Sequence, residues 1–331
     1  MLEYAIVGYK ELSMKISVIG CGRWGTFITW YLDHIGHEVS LYGRESSKHM
    51  QQLMKERKNN LLELKESVTL TTSLQEVATS DVIVISINAQ GLQALMEELD
   101  KLELRNKTFV LCMKGIEIAT GRRLTEIVKD NTDESNQVAV WLGPGHVQEF
   151  YNGIPNCMVI DSEDEKVKAD LVEAFSSKLI RFYYGQDLIG NEIGAAAKNV
   201  IGIAAGMLDG LHLSTLKGAL MSRGTREVAR LIKAMGGNEL SAYGLCHLGD
   251  YEATVFSKFS HNRQFGESFV KGEDYKDLAE GYYTVKALVN LQKRYGIELP
   301  ICQAVYDVFY EKADVRQILD DLFSRSLKNE F

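Results

Sequence analysis

Apolar positions in the first half of the chain fall into short, unbroken runs separated by longer stretches of mixed character. Residues 16–19 form such a run, rich in β-branched side chains, and residues 39–42, 82–87, 108–113 and 138–142 repeat it. Continuous runs of this length suit central parallel strands, which are buried on both faces. The segments between them, among them 24–35, 46–62 and 92–102, are long enough for crossover helices, and Gly36 stands where a helix end favours glycine. Alternation of strand and helix predicts a parallel sheet covered on both faces. Beyond Asp187 the pattern changes. Residues 194–207 are dense in Ala and Gly, residues 217–235 place Leu220, Val228, Leu231, Ile232 and Met235 near helical spacing, and 282–295 and 304–322 also look helical. The expected fold is α/β: a Rossmann-type, doubly wound parallel sheet over 14–190, then an all-helical domain over 191–331, with 1–13 as an N-terminal extension ahead of Met14.

Length agrees with two domains: 331 residues at about 150 per domain. The chain carries 37 basic against 45 acidic residues, a formal charge of −8. That balance argues against a general nucleic-acid binder, which presents a basic face, but leaves room for a local basic pocket and an anionic substrate. Five scattered cysteines form no Cys-x-x-Cys pair and no His/Cys cluster, so neither a disulfide frame nor a metal site is expected. No run of about 20 apolar residues spans a membrane. Without a secretory pattern at the N-terminus, a reducing cytoplasm is the expected location.

The first chemistry-bearing motif follows the first strand at once: Gly20-Cys21-Gly22-Arg23-Trp24-Gly25. In that setting Gly20 allows a tight turn, Gly22 lets a pyrophosphate approach the backbone, and Gly25 lets helix and strand pack closely. The phosphates then meet the free N–H groups and positive end of the helix. The bland alternative is an ordinary strand-to-helix turn; the strand before and helix after favour a dinucleotide site. The second strand ends in Tyr42-Gly43-Arg44, where an NAD enzyme often carries an acidic residue for the ribose hydroxyls. Arg44 suits a 2′-phosphate instead, as a planar bidentate donor. This makes NADP the expected cofactor and NAD the alternative; the competing reading of Arg44 is a solvated surface charge.

Further blocks follow in order: Cys112-Met113-Lys114-Gly115-Ile116-Glu117; Leu142-Gly143-Pro144-Gly145; Asn191-Glu192-Ile193-Gly194-Ala195-Ala196-Ala197-Lys198-Asn199-Val200; Leu248-Gly249-Asp250 with Thr254; Ser260-His261-Asn262-Arg263; and Glu280-Gly281. Taken together, from about Lys15 to about Phe309, they resemble the soluble, bacterial type of NAD(P)-dependent glycerol-3-phosphate dehydrogenase. The resemblance implies interconversion of dihydroxyacetone phosphate and glycerol 3-phosphate, a step toward phospholipid synthesis, by a cytoplasmic homodimer. It implies Lys198 as catalytic acid/base, with Lys114 and Asp250 beside it. It places the substrate against Lys114, Gly143, Gly145, Lys198, Asp250, Thr254, Ser260, His261 and Asn262. It places the cofactor against Gly20, Gly22, Arg23, Trp24, Gly25, Arg44, Lys114, Val147, His261 and Glu280.

Chemistry explains these residue types. Hydride delivery to a ketone carbon puts negative charge on the oxygen, and a positioned ammonium can stabilise that charge and donate the proton. The Ala/Gly-rich stretch around Lys198 leaves room for a substrate, and the segment around Asn262 and Arg263 is expected to open a helix whose N–H groups suit a phosphate. Each residue also has an ordinary reading: lysines are mostly solvated charges, Asp250 after a glycine is a candidate cap or turn residue, Trp24 a packing residue, and Arg223 an ion-pair or helix-packing residue. The chain departs from the family pattern at Gly145, where the family has a serine, at His261, where it has an arginine, and in the run Ala195-Ala196-Ala197, where it usually has Gly-Ala-Leu. His247 stands where the family usually has glycine and reads as structural variation. Two alternatives therefore stay open: a dehydrogenase of another small phosphorylated or hydroxylated ketone, and a catalytically silent nucleotide or triose phosphate sensor.

Overall fold

The computed structural model describes residues 13–327 and 329. Of the expected N-terminal extension, residues 1–12 lie outside the described residues. The chain divides into two compact units, one of residues 13–113 and 124–188, the other of 114–123 and 189 onward.

The first unit is built on a sheet of β1 (Lys15–Ile19), β2 (Glu38–Tyr42), β3 (Thr69–Thr71), β4 (Val82–Ile85), β5 (Thr108–Leu111), β6 (Gln137–Leu142), β7 (Asn156–Ser162) and β8 (Ile180–Tyr184). Its spatial order is β3-β2-β1-β4-β5-β6-β7-β8. The first six strands are parallel. This is the doubly wound arrangement, whose direction of winding reverses between β1 and β4. The sheet is mostly parallel, as expected; β7 runs antiparallel to β6, and β8 then runs parallel to β7. The connection between β6 and β7 holds a single short helix, α6 (Val147–Tyr151). The remaining helices of this unit are α1 (Arg23–His34), α2 (Lys48–Glu56), α3 (Leu74–Val77), α4 (Leu92–Asp100), α5 (Leu124–Asp130) and α7 (Glu165–Phe175). Helix α1 ends at Ile35, and Gly36 takes φ +100° to reverse the chain into β2. The core holds Ile16, Val18, Val84, Val110 and Ala139 of the sheet together with an aromatic group of Phe27, Tyr31, Trp141, Phe150 and Phe175.

The second unit is helical: α8 (Leu188–Gly210), α9 (Lys217–Ala234), α10 (His261–Lys271), α11 (Glu280–Tyr295), α12 (Pro300–Tyr310) and α13 (Val315–Phe323). The stretch 304–322, expected as one helix, is two. Lys312 adopts φ +61° and Asp314 caps α13 by accepting from Arg316 N and Gln317 N, so the chain turns between them. The core of this unit is the apolar face of α8 packed on α9, α11 and α12, with Ala196, Ala197, Val200 and Ile203 among its members. Small residues let the backbones close up: a Cβ on Gly266 would lie 2.1 Å from Ile203 O, and one on Gly281 would lie 2.6 Å from Asn199 O. The segment 114–123, expected within the nucleotide domain, belongs here, where Asn199 Nδ2 donates to Lys114 O and Arg123 pairs with Glu192.

Candidate active site

In the first unit, the glycine loop has the geometry a dinucleotide needs. Gly20 adopts φ +115°, and a Cβ there would stand 2.1 Å from Ser86 O. A Cβ on Gly25 would stand 1.8 Å from Gly20 O, so helix α1 and strand β1 approach as only glycine permits. At Gly22, by contrast, the space a Cβ would take is open, with nothing within 4 Å. Gly22 caps α1 without a side-chain hydrogen bond, and the helix opens with Arg23 and Trp24 rather than with an acidic residue. A phosphate therefore has both room and helix polarity in its favour. The half-buried Trp24 ring packs against Phe27 and Phe150, with centroids at 5.1 and 6.2 Å. Arg44 is exposed, just past the end of β2. These residues fit a bound NAD(P).

Gly143 and Gly145 both lie beyond β6 at positive φ, +132° and +145°. The missing serine hydroxyl at 145 has a local cause: a Cβ there would lie 2.2 Å from the Phe150 ring. Val147 is a buried core residue at the start of α6.

In the second unit the structure gathers four of the expected residues into one cluster. Lys198, midway along α8 and only 6% exposed, reaches Asp250 Oδ2 at 2.6 Å and donates to Thr254 Oγ1 at 2.7 Å. Lys114 Nζ donates to the same Asp250 oxygen at 2.8 Å. Asp250 lies in a 3₁₀ turn, and its side chain orients ammonium groups instead of capping a helix. Thr254, in a single turn of π-helix, in turn donates to Asp250 O at 2.7 Å. The other Asp250 oxygen, Oδ1, is buried without a hydrogen-bond partner among the described residues. A buried acceptor left unmade is costly, so a donor belonging to a ligand is the natural complement.

Electrostatics set the protonation. Burial disfavours the charged form of Lys198, the Asp250 carboxylate opposes that and the Lys114 ammonium adds to it; the net result is a pKa lowered to about 8. Glu280, the first residue of α11, sits in the field of both lysines, yet desolvation dominates and raises its carboxyl to about 7. The residue as a whole is half-buried.

The remaining expected residues lie at the start of α10. Ser260 is its N-cap and accepts from Arg263 N, so the hydroxyl is already engaged in shaping the helix. Asn262 Oδ1 accepts from Gly281 N, joining α10 to α11. His261 is partly exposed, with Nδ1 2.7 Å from Tyr275 Oη and 3.7 Å from Asp277. Arg263 offers no substitute for the absent arginine. Its guanidinium is held by Asp209, Glu267 and the Ser257 carbonyl. Sequence reasoning passed over Asn199, which fixes the Lys114 backbone; the signal was its place beside Lys198 in the Lys-Asn-Val run.

Comparison with known proteins decides the family. The model for the NAD-dependent glycerol-3-phosphate dehydrogenase N-terminus matches residues 15–168, and that for its C-terminus matches residues 187–320. The chain belongs to this dehydrogenase family. It is 33% identical over 332 residues to a glycerol-3-phosphate dehydrogenase (NAD(P)+) of Chlorobium limicola, covering 96% of this chain and 99% of that one. It is 35% identical over 328 residues to the enzyme of that name from a Thermotoga species, with coverage of 96% and 99%. Among solved structures, a glycerol-3-phosphate dehydrogenase from Coxiella burnetii superposes with a TM-score of 0.89 at 28% identity, over 95% of this chain and 99% of that one. The Lys198, Asp250 and Lys114 cluster is thus the candidate active site of a glycerol-3-phosphate dehydrogenase family member. No metal-binding cluster of His, Cys, Asp or Glu occurs among the described residues.

Proposed function

We propose that this chain interconverts dihydroxyacetone phosphate and glycerol 3-phosphate, using NAD(P) held at the Gly20–Gly25 loop. The observation that carries the reading is Lys198: a buried ammonium, fixed between Asp250 and Thr254, with a pKa lowered to about 8. When bound, the reduced dinucleotide supplies the hydride that reduces carbon 2. Lys198 Nζ stabilises the developing alkoxide and passes it a proton. A general acid works best with a pKa near the working pH, and burial has brought this lysine there. Asp250 holds both ammonium groups through Oδ2 and leaves Oδ1 to accept from a substrate hydroxyl. Lys114 adds a second positive charge, which favours the oxyanion over the neutral ketone. The opening of α10, with Asn262 and His261, carries the phosphate. Arg44 selects NADP over NAD by pairing with the 2′-phosphate.

The working protein in this reading is a cytoplasmic homodimer joined through its helical unit. None of the described helices is long and apolar enough to cross a membrane, which agrees with that location. The test is the oxidation of NADPH, and in parallel of NADH, with and without dihydroxyacetone phosphate, with glycerol 3-phosphate measured at the end point. One glycerol 3-phosphate for each cofactor oxidised supports the proposal. Absence of ketone-dependent oxidation with either cofactor overturns it in favour of another substrate or a silent sensor.

A further inference from the structure

His247 has no surface: it is 0% exposed, as is Tyr251 one turn later. Burying two polar rings is costly unless their polar atoms are paired, and here they pair with each other and with the active-site helix. His247 Nδ1 lies 2.9 Å from Gly194 O, and Nε2 lies 2.7 Å from Tyr251 Oη. A carbonyl only accepts, so Nδ1 carries the proton, Nε2 is the lone-pair nitrogen, and Tyr251 donates to it. Burial holds the ring neutral by lowering its pKa to about 4. Thr225 Oγ1 on α9 extends the chain, 3.5 Å from Tyr251 Oη.

What this chain joins matters. Gly194 stands four residues before Lys198 on α8, so its carbonyl is the one that closes the helical turn ending at Lys198. At the other end, His247 opens the 3₁₀ turn of Leu248–Asp250, and its carbonyl accepts from Asp250 N at 3.0 Å. Tyr251 follows Asp250 directly. The imidazole therefore ties the backbone under the general acid to the loop that presents the carboxylate. The fit is close: a Cβ on Gly194 would lie 3.0 Å from His247 Cβ. We propose that His247, with Tyr251, is a positioning residue for the reaction, setting the Asp250 carboxylate at hydrogen-bond distance from the Lys198 ammonium. The histidine touches no reacting atom and acts through Asp250. The proposal rests on the reading of Lys198 as general acid.

The test compares wild type with His247→Gly, His247→Gln and Tyr251→Phe, and with the double variant His247→Gly/Tyr251→Phe. Three quantities are measured: kcat and KM for dihydroxyacetone phosphate, the NADPH dissociation constant, and the pKa of Lys198 from the pH dependence of its acetylation by trace acetic anhydride. A loosened Asp250 deprives the buried ammonium of its counter-charge. The expected results in His247→Gly are a kcat loss of about tenfold, a Lys198 pKa moved clearly downward and an unchanged NADPH dissociation constant. His247→Gln keeps one hydrogen bond and falls between. The double variant is no worse than the poorer single one, because both side chains serve one chain of bonds. A lowered Tm with kcat and the Lys198 pKa both unchanged would reduce the pair to packing and overturn the proposal. The labelling readout does not need turnover. A wild type inert toward the ketone therefore defeats the activity reading, while the Lys198 titration still decides whether His247 positions Asp250.

Discussion

Lys198 is placed where a small change of pH alters what it can do. With a pKa of about 8 it is largely an ammonium at neutrality. The sign follows from its role. In the proposed mechanism ketone reduction needs the protonated lysine, so kcat/KM for dihydroxyacetone phosphate should fall as pH rises through about 8, whereas oxidation of glycerol 3-phosphate, which then needs the free amine, should rise through the same range. Profiles in the two directions, recorded at saturating cofactor, check this; parallel profiles would remove the lysine as the titrating group. Arg44 makes a separate prediction. Arg44→Ala should weaken NADPH by about 1.5–3 kcal/mol, the worth of a hydrogen bond to a charged group, and leave NADH nearly unaffected. Titration of both reduced cofactors by fluorescence measures it, and equal losses would show that the exposed arginine is only solvated.

At the scale of elements, the glycine loop and the first parallel strands were legible because each lies in an unbroken apolar run with a glycine or a helix behind it. Strands β7 and β8 were not. Asn156–Ser162 mixes Asn, Cys, Asp and Ser into its pattern, and β8 has only Ile180 and Phe182 buried among the exposed Arg181, Tyr183 and Tyr184, so it lacks the unbroken apolar run that marked the first strands. The break between α12 and α13 was hidden because the apolar period continues across it; a left-handed Lys312 made the turn without a glycine or proline to mark it. At the site, the lysines and aspartate could be read as a set, but not that one Asp250 oxygen serves both, since that depends on distant segments meeting. Nor could sequence show why Gly145 replaces a serine. The structure makes a direct prediction there: Gly145→Ser must take φ +145° with its Cβ against Phe150, and should lose about 1–3 kcal/mol of stability. Urea denaturation checks it, with Phe150→Leu added to the serine variant expected to recover part of the loss. A serine variant as stable as wild type would show that the loop relaxes freely.

At the scale of the molecule, the proposed loop for the dinucleotide and the proposed proton-transfer cluster lie in different compact units. The dinucleotide loop belongs wholly to the first, and Lys114, Lys198, Asp250 and Thr254 wholly to the second, because the segment 114–123 leaves the sheet unit to join the helices. Each unit has its own apolar core, so a side chain removed from the helical cluster leaves the packing around the glycine loop intact. Cofactor binding and proton transfer should accordingly separate under mutation. The most direct test is Lys198→Ala, measured both for turnover of dihydroxyacetone phosphate and for NADPH affinity. Loss of a general acid should lower kcat by about a hundredfold or more, with the NADPH dissociation constant within about twofold of wild type. Near-normal turnover in this variant would contradict the assignment of Lys198 as the proton donor.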